Sequence, residues 1–386
     1  RLVGSEMCIR DRTDVNQWKK GGYGFIEDLK PDHRVRFILE NYNNLQYFTD
    51  KKKRTKIHTV DHTRKRLQGD LQAGLEPGTD WIIAKQTGGD SYHDLFGMGE
   101  DRKSVCAHNE TEQTTKSQYG GTCMMAFGVF SSHVEKPSLD PDKGVDRRGL
   151  GSYCSLVTTG KTAKPVRIVT YYRPNDESRH KAPKKGRQTV FTQHVREFKR
   201  RDMHDKDPRL EADRCLIEDL KKWKASGEEL ILLGDFNQCI YSSPLAEELT
   251  GTDLEMEEQF RSLHGVEAPN SHVRGKLPIM GCFATSGVVI KAYFISDHHA
   301  HGSIGDHRMH LIDFSLQSVI GDNLPRVIKR SGQKLQWKIP PTSKKYTRDL
   351  VKMCKANMLD KKVIKLRNPD NYSSGCLLYT SDAADE

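Results

Sequence analysis

The feature that most constrains this chain is the stretch EELILLGDFNQCI at 228–240, where four consecutive aliphatic residues, Leu230 to Leu233, run into Gly-Asp-Phe-Asn. A strand with one face in water alternates apolar and polar side chains, so an unbroken aliphatic run requires cover on both faces. Gly234 ends the run. With a side-chain period of two, Asp235 and Asn237 leave the strand end on the same side while Phe236 turns back into the packing. A buried sheet thus presents a carboxylate and a carboxamide together at its edge. The same two residue types also suit an Asx-type turn, in which each bonds its own backbone.

Other stretches supply partners for that strand. KPVRIVTYYRPND (164–176) reads as a strand stopped by Arg-Pro-Asn, with GSYCSLVTTG before it as a hairpin partner, and QYGGTCMMAFGVF (118–130) reads as another. RMHLIDFSL (308–316) alternates as a half-covered strand does. DPRLEADRCLIEDLKKWKASG (207–227) predicts a helix feeding the Leu230 strand: Asp207 caps it, Pro208 suits its first turn, Gly227 follows its end, and Leu216, Leu220 and Trp223 share one stripe. Helices, strands and hairpins interleave, which predicts mixed sheets. Beyond Leu316 the periodicity fades, Pro325, Pro340 and Pro341 interrupt and lysines accumulate, placing a domain boundary near 320. No internal repeat is present.

Composition removes several classes. At 386 residues the chain can bury a large core without staples, and no apolar run approaches the ~20 residues of a membrane-spanning helix. Nine cysteines occur without C-x-x-C or His/Cys ligand spacing, which fits a reducing compartment and neither a zinc cage nor a disulfide framework. Both ends are set aside from fold reasoning. RLVGSEMCIRDR (1–12) and CLLYTSDAADE (376–386) resemble peptides translated from sequencing-adapter DNA read in frame with a transcript. Residues 326–367 hold fourteen Lys and Arg against Asp349 and Asp360, a charge of +12 in a chain whose total is +10. The body is therefore near neutral and the tail strongly basic, as electrostatic attachment to nucleic acid requires, although a charge run can also be merely solvated.

A second polar strand edge lies at SIGDHRMHLIDF (303–314), where Gly305-Asp306-His307-Arg308 precedes a strand and a carboxylate stands beside a group that titrates near neutrality. Alone it is also compatible with a surface turn. Taken in order, Tyr-x-Pro-Asn at 172–175, GDFN at 234–237 and DHR at 306–308, each at a strand end, resemble the motifs of the endonuclease/exonuclease/phosphatase superfamily, closest to the endonuclease domains of retrotransposon polyproteins. TDVNQW (13–18) is similar to that family's first strand, with Asn16 matching. DLQAGLEPGTDW (70–81) is similar to its second, which ends in a metal-binding Glu, here Glu76; a competing placement at DWIIAKQTG (80–88) offers no carboxylate after the strand. The resemblance covers roughly 13–318, and the Asp313-Phe314-Ser315 and Gly321-Asp322 segments with Pro325 extend it, while no Tyr-x-Asp-Asp polymerase motif follows.

The resemblance implies an exonuclease III-like four-layer fold over 13–320, with two mixed β-sheets packed as a sandwich between helices, followed by a basic linker over 321–375. It also implies Mg²⁺ or Mn²⁺ held by Glu76 with Asp306 and Asn16, Asp235 and Asn237 handling the attacking water, and His307, Tyr172 and Asn175 at the phosphate. Hard cations take oxygen ligands and keep waters, so one or two carboxylates suffice. Duplex DNA would lie along the basic segments 51–66, 178–201 and 326–367, in the nucleus if the element is a working one. One departure stands out: ATSGVVIKAYF (284–294) has Val288 and Val289 where the family carries an Asp that orients the catalytic His, and Asp297 or Asp313 is left to substitute. Without such a carboxylate the chain would be a nucleic-acid-binding remnant. The same fold also hosts inositol-phosphate and sphingomyelin phosphodiesterases. The four histidines of SDHHAHGSIGDH (296–307), lacking partner cysteines, are read as a solvated loop and not as a zinc site.

Overall fold

A computed structural model describes residues 22–45, 54–79, 100–111, 118–135, 144–158, 164–175 and 189–321, together with 348, 351, 352 and 355. Residues 1–329 form one compact unit, and the second, 330–386, is described only at those last four positions. Within the first unit, seven strands form one sheet: β1 (Gly22–Phe25), β2 (Arg34–Asn41), β3 (Leu71–Leu75), β4 (Arg102–Ala107), β5 (Thr122–Phe127), β12 (Ile290–Ser296) and β13 (His310–Ser315), in the order β1-β12-β13-β2-β3-β5-β4. Six form the other: β6 (Val134–Glu135), β7 (Tyr153–Thr158), β8 (Val166–Tyr172), β9 (Glu229–Asp235), β10 (Met256–Glu258) and β11 (Met280–Thr285), in the order β10-β11-β9-β8-β7-β6. The sheets pack face to face as the resemblance implies, and one apolar cluster, including Phe37, Leu39, Met124, Leu156, Ile168 and Leu232, fills the space between them.

Leu230 to Leu233 are fully buried, as the unbroken aliphatic run demands. One cover is the facing sheet; the other is helix α4 (Pro208–Ala225), which buries Leu216, Leu220 and Trp223. Asp207 caps α4 by accepting from the backbone N–H groups of Arg209 and Leu210, and Pro208 occupies the first turn. The remaining helices are α1 (Arg54–Arg66), α2 (Gly128–Ser131), α3 (Val190–Arg200), α5 (Pro244–Thr250), α6 (Gln259–His264) and α7 (Leu316–Ile320). Helix α1 packs Ile57 and Val60 with Tyr42, Met125 and Phe127 in a separate cluster on the outer face of the seven-stranded sheet.

Among the described strands two pairings are parallel, β2 with β3 and β8 with β9, and they fix where function can lie. Parallel neighbours end at the same edge: Asn41 registers with Leu75, and Tyr172 with Asp235. β13 runs antiparallel to β2 and starts at that edge, His310 opposite Leu39, so the residues just before it arrive there too. Four strand ends and one strand start therefore meet at one rim of the sandwich. Ligands of open α/β sheets favour such carboxyl ends, where the chain leaves the ladder with polar groups to spare.

Candidate functional site

The rim brings together Glu76 from the end of β3, Tyr172 from β8, Asp235 and Asn237 from β9, and Asp306 and His307 before β13. Their centre is a residue that the sequence reading did not single out. Asn41, at the end of β2, donates from Nδ2 to Glu76 Oε2 at 2.9 Å and to Asp235 Oδ2 at 3.0 Å, tying a carboxylate of one sheet to a carboxylate of the other. Its Oδ1 accepts the backbone N–H of Asn43 at 2.9 Å, and Asn43 Nδ2 donates to Asp306 Oδ2 at 2.9 Å. Phe37-Ile38-Leu39-Glu40-Asn41-Tyr42-Asn43 repeats the logic of the Leu230 ladder, an apolar run closing on two polar residues spaced by two, and that was the available signal. Asn16 lies outside the described residues. Asn175 follows the end of β8, is exposed, and has no hydrogen bond to another described residue.

Local backbone geometry aims these groups. Glu76 and Asn237 both sit in the left-handed region, at φ 49° and 48°. Such conformations cost about 1–3 kcal/mol each for non-glycine residues and persist where the surroundings over-determine them. Around Glu76 they do: its N–H donates to Gly121 O at 3.1 Å and its carbonyl accepts Asn44 N–H at 2.9 Å. Asn237 donates from N to Asp235 Oδ1 at 3.1 Å and from Nδ2 to Arg173 O at 2.6 Å, so the Asx-turn reading and the functional reading of GDFN are both realised. Two glycines permit close approach. A Cβ on Gly234 would stand 3.0 Å from both Tyr171 O and the Phe236 ring, and one on Gly305 would stand 2.0 Å from Asn41 O.

The electrostatics follow from burial. Asp235, 1% exposed, is pushed up to about 7 by desolvation, against the bonds from Asn237 and Asn41. Glu76 is raised for the same reason, although Tyr172 donates its hydroxyl to Oε1 at 2.6 Å. Burial lowers His307 to about 4, outweighing the carboxylates near it. His307 Nδ1 lies 3.6 Å from Asp235 Oδ2 and 3.0 Å from Met280 Sδ, and Nε2 lies 3.9 Å from Asp306 Oδ1. Both partners shift toward their neutral forms, which disfavours an ion pair between Asp235 and His307.

The orienting carboxylate is not where the sequence placed its absence. Val289 lies in the turn between β11 and β12, 42% exposed, with its N–H on Ser318 Oγ and its carbonyl on Ser315 N–H. The following residue, Ile290, pairs with Phe314, whereas the rim end of that ladder is Ile295 opposite His310. At ~3.4 Å per residue Val289 is roughly 15 Å or more from His307. The expectation that Val288 or Val289 marks a lost orienter is corrected accordingly. Neither proposed substitute serves: Asp297 pairs with Arg308 at 2.9 Å, and Asp313 is buried in a two-pronged ion pair with Arg36 at 2.7 and 2.9 Å. The carboxylates that face the imidazole are Asp235 and Asp306.

The donor set suits a hard divalent cation. Glu76 and Asp235 are two carboxylates bridged by a single carboxamide, and burial makes their simultaneous ionisation costly unless positive charge joins them. A cavity of about 640 Å³ at the β10 edge makes a poorer site for a polyanion, because Glu247, Glu255, Glu257 and Glu258 line it against Arg261 alone. The basic segment 51–66 is less free for a ligand than its composition implied. Over α1, Arg64 pairs with Asp61 and Glu100 and stacks 3.8 Å from the Phe127 ring, and Lys65 pairs with Asp61. Residues 176–188 and nearly all of 326–367 lie outside the described residues, as do both termini.

No family profile matches the sequence, and no curated protein matches it. Solved structures do. The AP endonuclease LMAP from Leishmania major, 12% identical, aligns over 81% of this chain and 99% of its own at a TM-score of 0.50. The human Nocturnin catalytic domain, 11% identical, covers 76% of this chain and 96% of its own at 0.47, and an endonuclease/exonuclease/phosphatase from Bacteroides vulgatus, 15% identical, covers 73% and 98% at 0.44. The likeness is one of fold: two mixed sheets with flanking helices, the exonuclease III-like sandwich.

Proposed function

We propose that the chain is a divalent-metal-dependent phosphodiesterase, most specifically a DNA endonuclease domain of a retroelement. The observation that carries this reading is the Asn41 carboxamide joined to Glu76 and Asp235, with Tyr172, Asn237 and His307 around it, at a rim built by strand ends of both sheets. Phosphodiester hydrolysis needs a water aimed at phosphorus, neutralisation of the phosphoryl oxygens and help for the leaving oxygen. Asp235, raised to about 7, is matched to accept a proton from that water at neutral pH. Asn237, its amide fixed on Arg173 O, places the water beside Asp235. His307, held between Asp235 and Asp306, donates to a non-bridging oxygen, and Tyr172 holds Glu76 in place. Glu76, beside the Asp235 carboxylate to which Asn41 ties it, would hold Mg²⁺ or Mn²⁺. When bound, that cation supplies charge neutralisation at the phosphoryl oxygens.

Nucleic acid is favoured as substrate by the +12 tail and the basic residues of 178–201, and a retroelement by the order of the motifs and by the Asp313-Phe314-Ser315 and Gly321-Asp322 segments with Pro325 after them. With the Val289 objection removed, no observation singles out a decayed remnant. Supercoiled plasmid tests the reading: Mg²⁺ should convert it to the relaxed circle and chelator should stop the conversion. Hydrolysis of inositol phosphates or sphingomyelin with no nicking would assign the fold to another substrate class.

A further inference from the structure

Outside the groups already given a role, the loop 265–279 places His272 against the rim. Its backbone forms an isolated antiparallel bridge with His307, Val273 N–H donates to Asp306 O at 3.0 Å, and the two imidazole rings meet edge to face at 5.0 Å. His272 Nε2 lies 3.2 Å from Asp306 Oδ2, and its Nδ1 accepts the backbone N–H of Arg274 at 3.0 Å. Asn270 braces the turn by donating from Nδ2 to His272 O and Gly275 O.

His272, Asp306 and His307 have the ligand types of a metal site, with donor atoms within 4.8 Å of one another. The hydrogen bonds decide against that reading. An Nδ1 that accepts an amide N–H carries no proton, so the ring's hydrogen is on Nε2, where it points at Asp306 Oδ2 and leaves no lone pair for a cation. A metal-ligating histidine has the reverse arrangement, donating from its far nitrogen.

We propose that His272 is a positioning residue for the phosphodiesterase site, a role that rests on the function proposed above. The Arg274 amide fixes its tautomer. Its Nε2–H then joins Asn43 Nδ2 in saturating Asp306 Oδ2, and the carboxylate is turned so that Oδ1 faces His307 Nε2. Asp306 thereby serves as the orienting carboxylate that the sequence failed to supply at Val289, and the loop 265–279 sets its angle.

The test has two arms. In the metal-free chain with ¹⁵N-labelled histidine, His272 should show an unprotonated, pyridine-like Nδ1 and a protonated Nε2 at neutral pH, and His272→Leu should shift the ring resonances of His307. The opposite tautomer, or unmoved His307 resonances, would overturn the proposal whether or not the chain proves to be a nuclease. In the activity arm, His272→Leu should lower kcat for nicking by ~10–100-fold, the usual cost of losing such an outer partner, with KM little changed. His272→Gln, which keeps a donor at the Nε2 position, should recover most of it. Equal losses in both variants, with thermal melts like wild type, would mean the donated hydrogen has no such task. Tight stoichiometric Zn²⁺ binding by wild type that is lost in His272→Leu would replace the proposal with a metal site. Should wild type neither nick nor hydrolyse any phosphodiester, the function fails while the tautomer and the His307 shifts still judge the positioning.

Discussion

Asp235 shows how far a single residue could be read in advance. Four buried aliphatic residues leave a carboxylate at the end of the ladder, held 1% exposed without the arginine partner that Asp313 has. Its folded-state value, about 7, exceeds its ordinary 3.8. Between those values the folded chain holds a proton that the unfolded chain releases, so Asp235 costs stability as pH rises and is harmless near pH 4. In chelator, Asp235→Asn should therefore unfold at higher urea than wild type at pH 8, by about 1 kcal/mol or more, and near wild type at pH 4. A variant less stable than wild type at pH 8 would contradict the upward shift of Asp235. Asn41 carries the same signal as Asp235, an apolar run closing on polar residues, and was nonetheless overlooked. Its strand opens with Arg34-Val35-Arg36, whose charges disguise a buried element because Arg36 is paired with Asp313 from β13, far away in sequence.

At the level of elements, what depended on local pattern was legible: helix α4 with its Asp207 cap, the β7–β8 hairpin and β9, while β3, which ends at Leu75 just before Glu76, was placed by the resemblance. What depended on nonlocal register was not. Which end of β12 approaches His307 is set by its ladder with β13, and that register, invisible in the sequence, puts Val289 at the end away from the rim. Two substitutions separate packing at the site from packing elsewhere. Asp207→Ala removes a cap worth about 0.5–2 kcal/mol and should leave the nicking rate unchanged. Gly305→Ala sets a Cβ 2.0 Å from the Asn41 carbonyl oxygen, a backbone contact that cannot give way cheaply. It should destabilise by about 1–3 kcal/mol and lower nicking as well, because Asp306 and His307 move relative to Asn41. Chemical denaturation with a plasmid assay on both variants distinguishes them, and a fully active Gly305→Ala would show that β2 and the Asp306-His307 segment tolerate displacement.

Over the whole molecule, element order predicted mixed sheets, and the sandwich of two such sheets came from the resemblance of the strand-end motifs, because interleaved helices and strands alone fit several layered folds. The charge division is a separate property of the chain, with a near-neutral body and +12 over 326–367. Each phosphate neutralised on duplex DNA contributes about 0.9 to the slope of log affinity against log salt. Replacing Lys344, Lys345, Lys361 and Lys362 with Gln should flatten that slope by one or more and leave the chemical step under saturating DNA untouched. An unchanged slope would locate the DNA contact on the body alone.

The central claim is that Asp235 at this rim is the proton acceptor of a metal-dependent phosphodiesterase. Single-turnover nicking in Mg²⁺, wild type against Asp235→Asn at saturating enzyme, tests it most directly. The account predicts a rate at least ~10²-fold lower in the variant, the low end for losing a positioned acid–base group, with DNA still bound. Nicking by Asp235→Asn at the wild-type rate would contradict it.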